Sequence, residues 1–303
     1  MKYLISIVGT TGIGKTKLAI DLAKHFETEI ISCDSRQFFK EMPIGTAAPT
    51  AEELAAVKHH FIGNLSVRDN YSIGQFENNA LQKLDDLFEK NDVVIMVGGS
   101  MMYEKALIDG LNDLPEADEE NQKKLQNIFE SEGLGKLQEM LKNLDEDYYH
   151  AVHLENPRRL LRAIDVIWQT GRKYSELISA PKKQRNFVTI RIGIEAPREK
   201  IYERINLRVD KMLENGLLNE VKNLLPYQGL PSLNTVGYTE IFKFLNGEWE
   251  LEFAVSEIKK NSRRFAKRQL TWYRGEENIH WVNFENPLEE SLSLLKNCKN
   301  FSI

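Results

Sequence analysis

The sequence predicts an α/β fold in which a P-loop-type parallel sheet is flanked by helices and carries a helical insertion domain. Three observations lead to this prediction. A glycine-rich pattern, GTTGIGKT, fills residues 9–16 directly after an apolar run. Five short apolar runs alternate with helical patterns, which is typical of parallel sheets covered by helices. Between residues 113 and 186 the strand pattern disappears, and charged helical patterns such as LGKLQEML replace it.

Residues 3–8 are predicted to form the first strand, and the GxxxxGK[ST] pattern after it predicts a phosphate-binding loop. The glycines let backbone N–H groups point inward, Lys15 reaches phosphate oxygens, and the Thr16 hydroxyl can bind Mg2+. An amphipathic helix with Leu18 and Leu22 on its apolar face follows. Its positive end adds to the anion site. The pattern does not specify which phosphate ester is bound.

Further strands are predicted at residues 29–33, 93–97, 188–194 and 280–284. Functional residues of such a sheet lie at the carboxyl ends of its strands. The phosphate loop, the DSRQ segment at 34–37 and the GGSMMY segment at 98–103 should therefore meet in one crevice. The strand at 93–97 ends without the acid that P-loop hydrolases place there. Asp34 is instead the candidate carboxylate, although a lone Asp at this position often only caps a turn.

The strand pattern assigns residues 1–112 and 187–303 to the catalytic core and residues 113–186 to a helical insertion. A helix is predicted to begin at Pro197, a favoured first-turn residue. It carries Arg204 and Arg208 one turn apart, and therefore on one face.

Composition limits the protein classes. A chain of 303 residues with 42% hydrophobic residues can bury a large core, and its formal charge of -5 argues against a protein that coats nucleic acid along its whole surface. No run is long or apolar enough to span a membrane, and the N-terminal residues lead directly into the phosphate loop, so we expect a cytoplasmic protein without a cleaved leader. Cys33 and Cys298 are too few for a disulfide framework or a zinc finger. His150 and His153 lack further ligands nearby and are interpreted as surface residues.

Positive charge is concentrated in two places, the NPRRLLRAID segment at 156–165 and the block KKNSRRFAKRQLTWYR at 259–274. In the second block, basic residues alternate with aromatic ones, a pattern that suits RNA backbones and stacked bases. It equally suits an amphipathic helix with its aromatic residues packed inward. The arginines of the first segment fit either an RNA-binding surface or a mobile lid over a triphosphate. The acidic LDDLFE segment at 84–89 is interpreted as a solvated helix face rather than a diphosphate motif.

Taken together, these motifs resemble the tRNA dimethylallyltransferase family in its bacterial form. The resemblance extends over nearly the full chain and also includes IGTAAPT, HHFIG, YSIGQF, VGYTE and the RxxxRVDxMLxxGLLxEV stretch that begins at Arg204. It implies transfer of a dimethylallyl group from dimethylallyl diphosphate to the exocyclic amine of the adenosine just 3′ of the anticodon, position 37. It also implies Mg2+ as cofactor, the tRNA anticodon stem-loop as partner, no membrane association, and a monomer.

The resemblance assigns a role to each matching residue. Asp34 would accept a proton from the adenine amine, Ser100 would hydrogen-bond the bridging oxygen, and Arg208 would stabilise the departing diphosphate. Thr16 would bind the metal. The residues expected to bind diphosphate are Gly9, Thr10, Thr11, Gly12, Ile13, Gly14, Lys15, Thr16 and Arg204. The residues expected to bind tRNA are Asp34, Ser35, Arg36, Gln37, Arg158, Arg159, Leu160, Leu161, Arg162, Arg263, Arg264, Lys267 and Arg268.

Three positions depart from the family pattern. Ala48 stands where the family has Lys in its GTAKP segment, so one phosphate contact is missing or supplied elsewhere. Ser100 and Ser262 replace threonines and keep the hydroxyl. Two other enzymes share parts of this pattern: an adenylate isopentenyltransferase that acts on free AMP or ADP, and a P-loop small-molecule kinase. An RNA-binding protein with a vestigial P-loop is the non-enzymatic alternative.

Overall fold

A computed structural model describes residues 1–179, 181–298 and 301. The chain divides into two compact units, Met1–Asp109 with Arg185–Ile303 and Gly110–Gln184. The first contains the sheet and the second contains only helices among its described residues. We call them the core unit and the helical unit.

The core unit is built on a six-stranded sheet in the order β3-β2-β4-β1-β5-β6, and every described pairing is parallel. The central strand β1 pairs Tyr3 with Val93 of β4 and with Val188 of β5. The strands are β1 (Tyr3–Gly9), β2 (Ile30–Ser32), β3 (His59–His60), β4 (Val93–Val97), β5 (Val188–Glu195) and β6 (Ile279–Asn283). The predicted fold class is confirmed.

Nine α-helices lie in the described part of the core unit. They are α1 (Lys15–His25), α2 (Ala51–Ala56), α3 (Ile73–Phe88), α4 (Met101–Asp109), α10 (Arg198–Glu214), α11 (Leu217–Asn223), α12 (Tyr238–Leu245), α13 (Leu251–Arg274) and α14 (Pro287–Asn297). The helical unit holds α5 (Glu119–Glu132), α6 (Leu134–Leu144), α7 (Glu146–Ala151), α8 (Pro157–Thr170) and α9 (Tyr174–Ile178).

The central strands are buried on both faces because helices cover the sheet on either side. On one face Ile5, Ile7 and Ile95 pack with Leu18 and Leu22 of α1. On the other face, alternate residues of the same strands pack against α3, as Leu4, Val94 and Met96 do around Phe76 and Leu84. This alternation follows from the two-residue period of a strand. It fixes the register, and therefore the positions of the loops after the strands.

The helical unit has its own apolar core, which includes Leu125, Leu137, Leu141, Leu160 and Ile164. Helix α8 begins cleanly because Asn156 accepts a hydrogen bond from the Arg159 N–H and Pro157 occupies the first turn. It ends at Gly171, whose φ of 66° lies in the left-handed region.

The five predicted strands are present, with ends that differ from the predictions by one residue at most. The sequence pattern missed β3, because two residues are too few to show an alternation. Within the described residues, no helix combines the length and the apolar character that a membrane crossing requires.

Candidate active site

The phosphate loop joins β1 to α1. Gly9, Gly12 and Gly14 have φ values of 138°, 79° and 110°, which side chains strongly disfavour, so glycine is required at these turns. Lys15 opens α1, and its Nζ donates a hydrogen bond to the Thr10 carbonyl oxygen, 2.8 Å away. The loop thus holds its own ammonium group over the positive end of the helix. An anion can take the place of that carbonyl contact.

Two arginines of α10 reach the same loop. The Arg204 Nε donates to the Gly12 carbonyl oxygen at 2.8 Å, and the Arg208 guanidinium donates to the Thr11 Oγ1 at 3.0 Å. Their one-turn spacing directs both side chains to the loop, as the sequence predicts. Arg204 is exposed, whereas Arg208 is partly buried. Burial lowers the pKa of Arg208, and the negative charge of Asp34 opposes this shift.

The electrostatic field of the loop is strongly positive. Burial lowers the pKa of Lys15 to about 8; Asp34 raises this pKa, whereas the nearby charge of Arg208 lowers it further. An ammonium group that is disfavoured by burial and by a nearby guanidinium gains from a bound anion.

Asp34 follows β2 and is aligned by its own backbone turn. Its Oδ1 accepts a hydrogen bond from the Arg36 N–H at 3.1 Å. Its Oδ2 lies close to Gly99, where a Cβ atom would stand 3.0 Å from that oxygen. Gly99 therefore leaves room for the carboxylate, whose side chain is partly buried in the wall of a cavity.

Ser100 holds the segment that follows Asp34. Its Oγ accepts a hydrogen bond from the Ser35 N–H at 3.0 Å and lies 2.9 Å from the Ser35 Oγ. The Ser100 hydroxyl proton can be donated either to the Ser35 Oγ or to a ligand in the cavity. A serine here provides the hydroxyl function that the family pattern supplies with threonine.

Gln37 lines the cavity, and among the described residues its amide oxygen has no hydrogen-bond donor. Its Nε2 donates to the carbonyl oxygens of Thr46 and Ala47, at 3.3 and 3.1 Å. The backbone of this loop is itself held by Glu220, which accepts hydrogen bonds from the N–H groups of Ile44 and Gly45 at 2.8 Å. An adenine amine could donate to the remaining Gln37 Oε1.

Arg36 was predicted to bind tRNA, but its guanidinium is engaged within the core unit. It donates to the carbonyl oxygens of Pro231, Ser232 and Asn234 at 3.2, 2.8 and 3.3 Å. These bonds fasten the turn before α12 to the segment that carries Asp34. Arg36 is therefore better described as a residue that orders the cavity wall than as a free tRNA ligand.

One cavity of 760 Å³ connects these groups. Its lining includes Lys15, Thr16, Asp34, Gln37 and Arg208. Apolar side chains from the loop after β3 and from α4, α10 and α13 complete the wall: Ile62, Met101, Ile205, Val209 and Phe265. The convergence predicted from the carboxyl ends of the strands is thus present in the structure. The cavity combines an anion site, a carboxylate and apolar surface.

A divalent cation in this cavity would need ligands from a bound phosphate ester as well as from the protein. The described residues contain no cluster of three or more His, Cys, Asp or Glu side chains able to hold a metal. Thr16 presents its hydroxyl to the cavity at the start of α1. One hydroxyl together with phosphate oxygens and water is the ligand set that Mg2+ favours, so the residues present fit that ion.

In the helical unit, the predicted tRNA-binding residues fall into two groups. Arg158 and Arg159 are exposed in the first turn of α8, beside His153. Arg162 is partly buried and forms an ion pair with the buried Asp165 at 3.0 Å. It also donates to the Pro115 carbonyl oxygen, so its role within the unit is structural.

Leu160 and Leu161 were also predicted to bind tRNA. Leu160 is wholly buried in the core of the helical unit, and Leu161 packs against that core. The side chain of Leu160 does not reach the surface, so we correct the prediction for this residue. Leu161 is half-buried, and its contact with tRNA stays a prediction.

The basic block lies on α13. Arg264, Lys267 and Arg268 are exposed. Arg263 is instead partly buried and donates to the Asn206 Oδ1 at 2.7 Å. Tyr273 is buried in the core unit, as the amphipathic alternative predicts, whereas Phe265 lines the cavity. The helix therefore has an exposed basic face and an inward aromatic face.

Two residues that support the site lie within the family-like motifs, but the sequence does not indicate what their side chains contact. Gln269 lies within the basic block, is fully buried, and contacts both the phosphate loop and Gly99. Glu220 lies in a helix that reads as an ordinary amphipathic surface helix. Only the fold brings the Gln269 side chain to the cavity and the Glu220 carboxylate to the N–H groups of Ile44 and Gly45.

Comparisons with known proteins agree with this geometry. The family model described as IPP transferase matches residues 37–276. A protein from Christiangramia forsetii described as tRNA dimethylallyltransferase is 52% identical over 283 residues, 93% of this chain and 94% of its own length.

Solved structures show the same likeness. A tRNA isopentenylpyrophosphate transferase from Bacillus halodurans is 34% identical with a TM-score of 0.71, covering 98% of this chain and 95% of that chain. A eukaryotic dimethylallyltransferase described as acting on tRNA is 26% identical with a TM-score of 0.81, covering 98% and 79% respectively.

Proposed function

The chain belongs to the IPP transferase family, and on that premise we propose that it transfers a dimethylallyl group from dimethylallyl diphosphate to the exocyclic amine of adenosine 37 in tRNA. The products are N6-isopentenyladenosine and diphosphate. The observation that carries this proposal is the shared cavity, in which the phosphate loop and Asp34 line one space of 760 Å³. A diphosphate ester and a base could occupy that space together.

The residues suggest a division of labour. The allylic carbon is attacked by the adenine nitrogen while its bond to oxygen breaks, and the electron pair leaves with the diphosphate. Lys15 and Arg208 would stabilise the charge that develops there. Mg2+ bound through Thr16 would supply further charge stabilisation. Ser100 would hydrogen-bond the bridging oxygen, and Arg204 would help to bind the diphosphate from the edge of the phosphate loop.

Proton transfer falls to Asp34. An exocyclic amine is a weak nucleophile, so a carboxylate that takes its proton favours attack. Gln37 would orient the base through its free amide oxygen. The adenosine must leave its stack to enter the cavity, as in other enzymes that modify bases.

The tRNA contacts are proposed at Arg158 and Arg159 of the helical unit and at Arg264, Lys267 and Arg268 of α13. All five are exposed and basic. We propose that one chain acts on one anticodon stem-loop as a monomer. Since tRNA is a cytoplasmic substrate, the cytoplasm is the proposed compartment.

Incubation of the protein with unmodified tRNA carrying adenosine 37, dimethylallyl diphosphate and Mg2+ tests the reaction. We expect mass spectrometry of the nucleosides to show adenosine with one added prenyl group. AMP offered as the acceptor should gain none, and ATP offered as the donor should not be consumed. Prenylated AMP with unmodified tRNA would overturn the proposal.

The helical unit provides a second test. Replacement of Arg158 and Arg159 by Ala should weaken tRNA binding and make its salt dependence less steep, by about one unit of log-log slope for each arginine that contacts a phosphate. Filter binding at several salt concentrations measures both quantities. Diphosphate affinity should not change.

The control is Arg172→Ala, which removes an exposed arginine just beyond the other end of α8. This substitution removes one positive charge, as each of the two test substitutions does, but leaves the first turn of α8 intact. An equal loss of slope in this control would attribute the effect to overall charge. In Arg162→Ala we expect a lower melting temperature instead, because the buried Asp165 loses its positively charged partner and keeps only its hydrogen bonds from Asn121 and Gln169.

A further inference from the structure

Gln269 is a polar side chain with no exposed surface, in the middle of α13. Its Oε1 accepts a hydrogen bond from the Thr11 N–H at 2.8 Å, and its Nε2 donates to the Gly99 carbonyl oxygen at 2.9 Å. One neighbour is a donor and the other an acceptor, so a flipped amide would lose both bonds. The orientation of Gln269 is therefore fixed by its surroundings.

The two loops that Gln269 joins serve opposite halves of the proposed reaction. Thr11 belongs to the phosphate loop, and its hydroxyl accepts the hydrogen bond from Arg208. Gly99 lies against the proton acceptor. A Cβ atom on Gly99 would stand 3.0 Å from both the Asp34 Oδ2 and the Gln269 Nε2. The amide of Gln269 is thus packed between the diphosphate side and the carboxylate side.

We infer that Gln269 is a positioning residue that sets the spacing between the phosphate loop and Asp34. This inference rests on the proposed function. Prenyl transfer requires the leaving group, the allylic carbon and the attacking amine to stand in one geometry, and the leaving group and the proton acceptor are held by separate loops. A single rigid amide that binds both loops fixes their separation more tightly than packing alone.

The hydrogen bond between the Thr11 N–H and Gln269 also changes which backbone N–H groups of the phosphate loop we expect to bind diphosphate. The Thr11 N–H is already used by Gln269, so it is not free to bind diphosphate while that bond persists. Thr11 instead contributes to the anion site through its hydroxyl, which accepts the hydrogen bond from Arg208. The sequence pattern alone suggests that every backbone N–H of the loop faces the anion.

Gln269→Met tests the inference, because Met has a similar shape but forms neither bond. Single-turnover measurements should show prenyl transfer about 10- to 100-fold slower. The dissociation constants for dimethylallyl diphosphate and tRNA should stay within about threefold of the wild-type values, since the charged contacts remain. In Gln269→Glu the Thr11 bond persists but the Gly99 bond is lost, and a second carboxylate stands near Asp34; transfer should be slow there too.

Thr28→Val is the matched control. The Thr28 Oγ1 donates a buried hydrogen bond to the Val93 carbonyl oxygen at 2.7 Å, at the amino-terminal edge of the strands and away from the cavity. It should lower the melting temperature without slowing transfer at a temperature where the protein is folded.

Two results would overturn the inference, and a third would overturn the proposed function. A Gln269→Met enzyme that keeps the wild-type transfer rate would overturn the inference. The inference would also be overturned if transfer by both Gln269→Met and Thr28→Val slowed only in proportion to the fall in melting temperature. A wild-type enzyme that prenylates no tRNA would instead overturn the proposed function, independently of the behaviour of Gln269.

Discussion

Asp34→Asn should slow prenyl transfer to tRNA by about 100- to 10,000-fold, the usual contribution of a positioned general base. Asn keeps the shape of the side chain and can still accept the hydrogen bond from the Arg36 N–H, so the turn after β2 should survive. Only the capacity to take a proton is lost. Rapid-quench measurement of the transfer step, with tRNA and dimethylallyl diphosphate saturating, gives the rate.

Binding should respond differently from turnover. Asp34 is the carboxylate near Lys15 and Arg208, and its charge acts on both. Its removal leaves the cations less compensated, so inorganic diphosphate should bind the variant at least as tightly as it binds the wild type. Affinity for tRNA should change little, because the proton acceptor acts mainly in the transition state.

Asp69→Asn serves as the control for this substitution. Asp69 is exposed and accepts a hydrogen bond from the Ser66 N–H at 2.7 Å, so it too caps a local turn with a carboxylate. Its variant should transfer prenyl groups at the wild-type rate. If Asp34→Asn lost tRNA binding and turnover to the same extent, Asp34 would be a structural residue. A rate near that of the wild type would remove it from proton transfer altogether.

The sheet and the position of its functional edge could be predicted from sequence because they depend on local patterns. Buried strands appear as apolar runs, and the glycines of the phosphate loop are required by backbone angles that other residues disfavour. Parallel strands then bring their carboxyl ends to one edge. Asp34 could therefore be placed opposite the phosphate loop without knowledge of any long-range contact.

Other site residues depend on long-range contacts that leave no local pattern. Gln269 meets Thr11 across 258 positions of sequence, and Arg36 meets Ser232 across 196. In the sequence, Gln269 looks like one polar residue of the basic block, and Arg36 looks like an arginine available to bind RNA. Charge alone could not distinguish an arginine that binds RNA from one that hydrogen-bonds backbone carbonyl oxygens.

The burial of Leu160, by contrast, follows from a local pattern in the sequence. Leu160, Ala163, Ile164 and Ile167 follow the three- and four-residue spacing of one helix face, and all four are buried. The motif drew attention to the arginines, but helical periodicity separates the segment into an apolar face and a basic face. Arg158 and Arg159 lie off the apolar face, and among the three arginines of α8 these two are exposed.

Lys15→Met should lower the affinity for dimethylallyl diphosphate and slow transfer by about 100- to 1,000-fold, the cost of removing one preorganised charge from a developing anion. Met fills a similar volume. Calorimetric titration with inorganic diphosphate and single-turnover kinetics measure the two effects. Lys24→Met is the control, since Lys24 is exposed near the opposite end of the same helix. That variant should retain both the affinity and the rate.

Stability should move in the opposite direction from activity. Burial lowers the pKa of Lys15 to about 8 from the usual lysine value of 10.5, so the unfolded chain holds this proton more strongly than the native chain does. Below pH 8 the native state therefore bears the cost of a buried charge, and this cost fades as the pH rises from 8 towards 10.5. Lys15→Met removes the cost at every pH.

Urea unfolding should accordingly show Lys15→Met to be more stable than the wild type at pH 7, with the difference shrinking at pH 9.5. A residue kept for packing alone would show the reverse, a variant less stable at both values. Loss of diphosphate binding together with a gain in stability is the combination expected of a charge held ready for an anionic substrate. If stability fell with affinity, the ammonium group would belong to the fold rather than to the reaction.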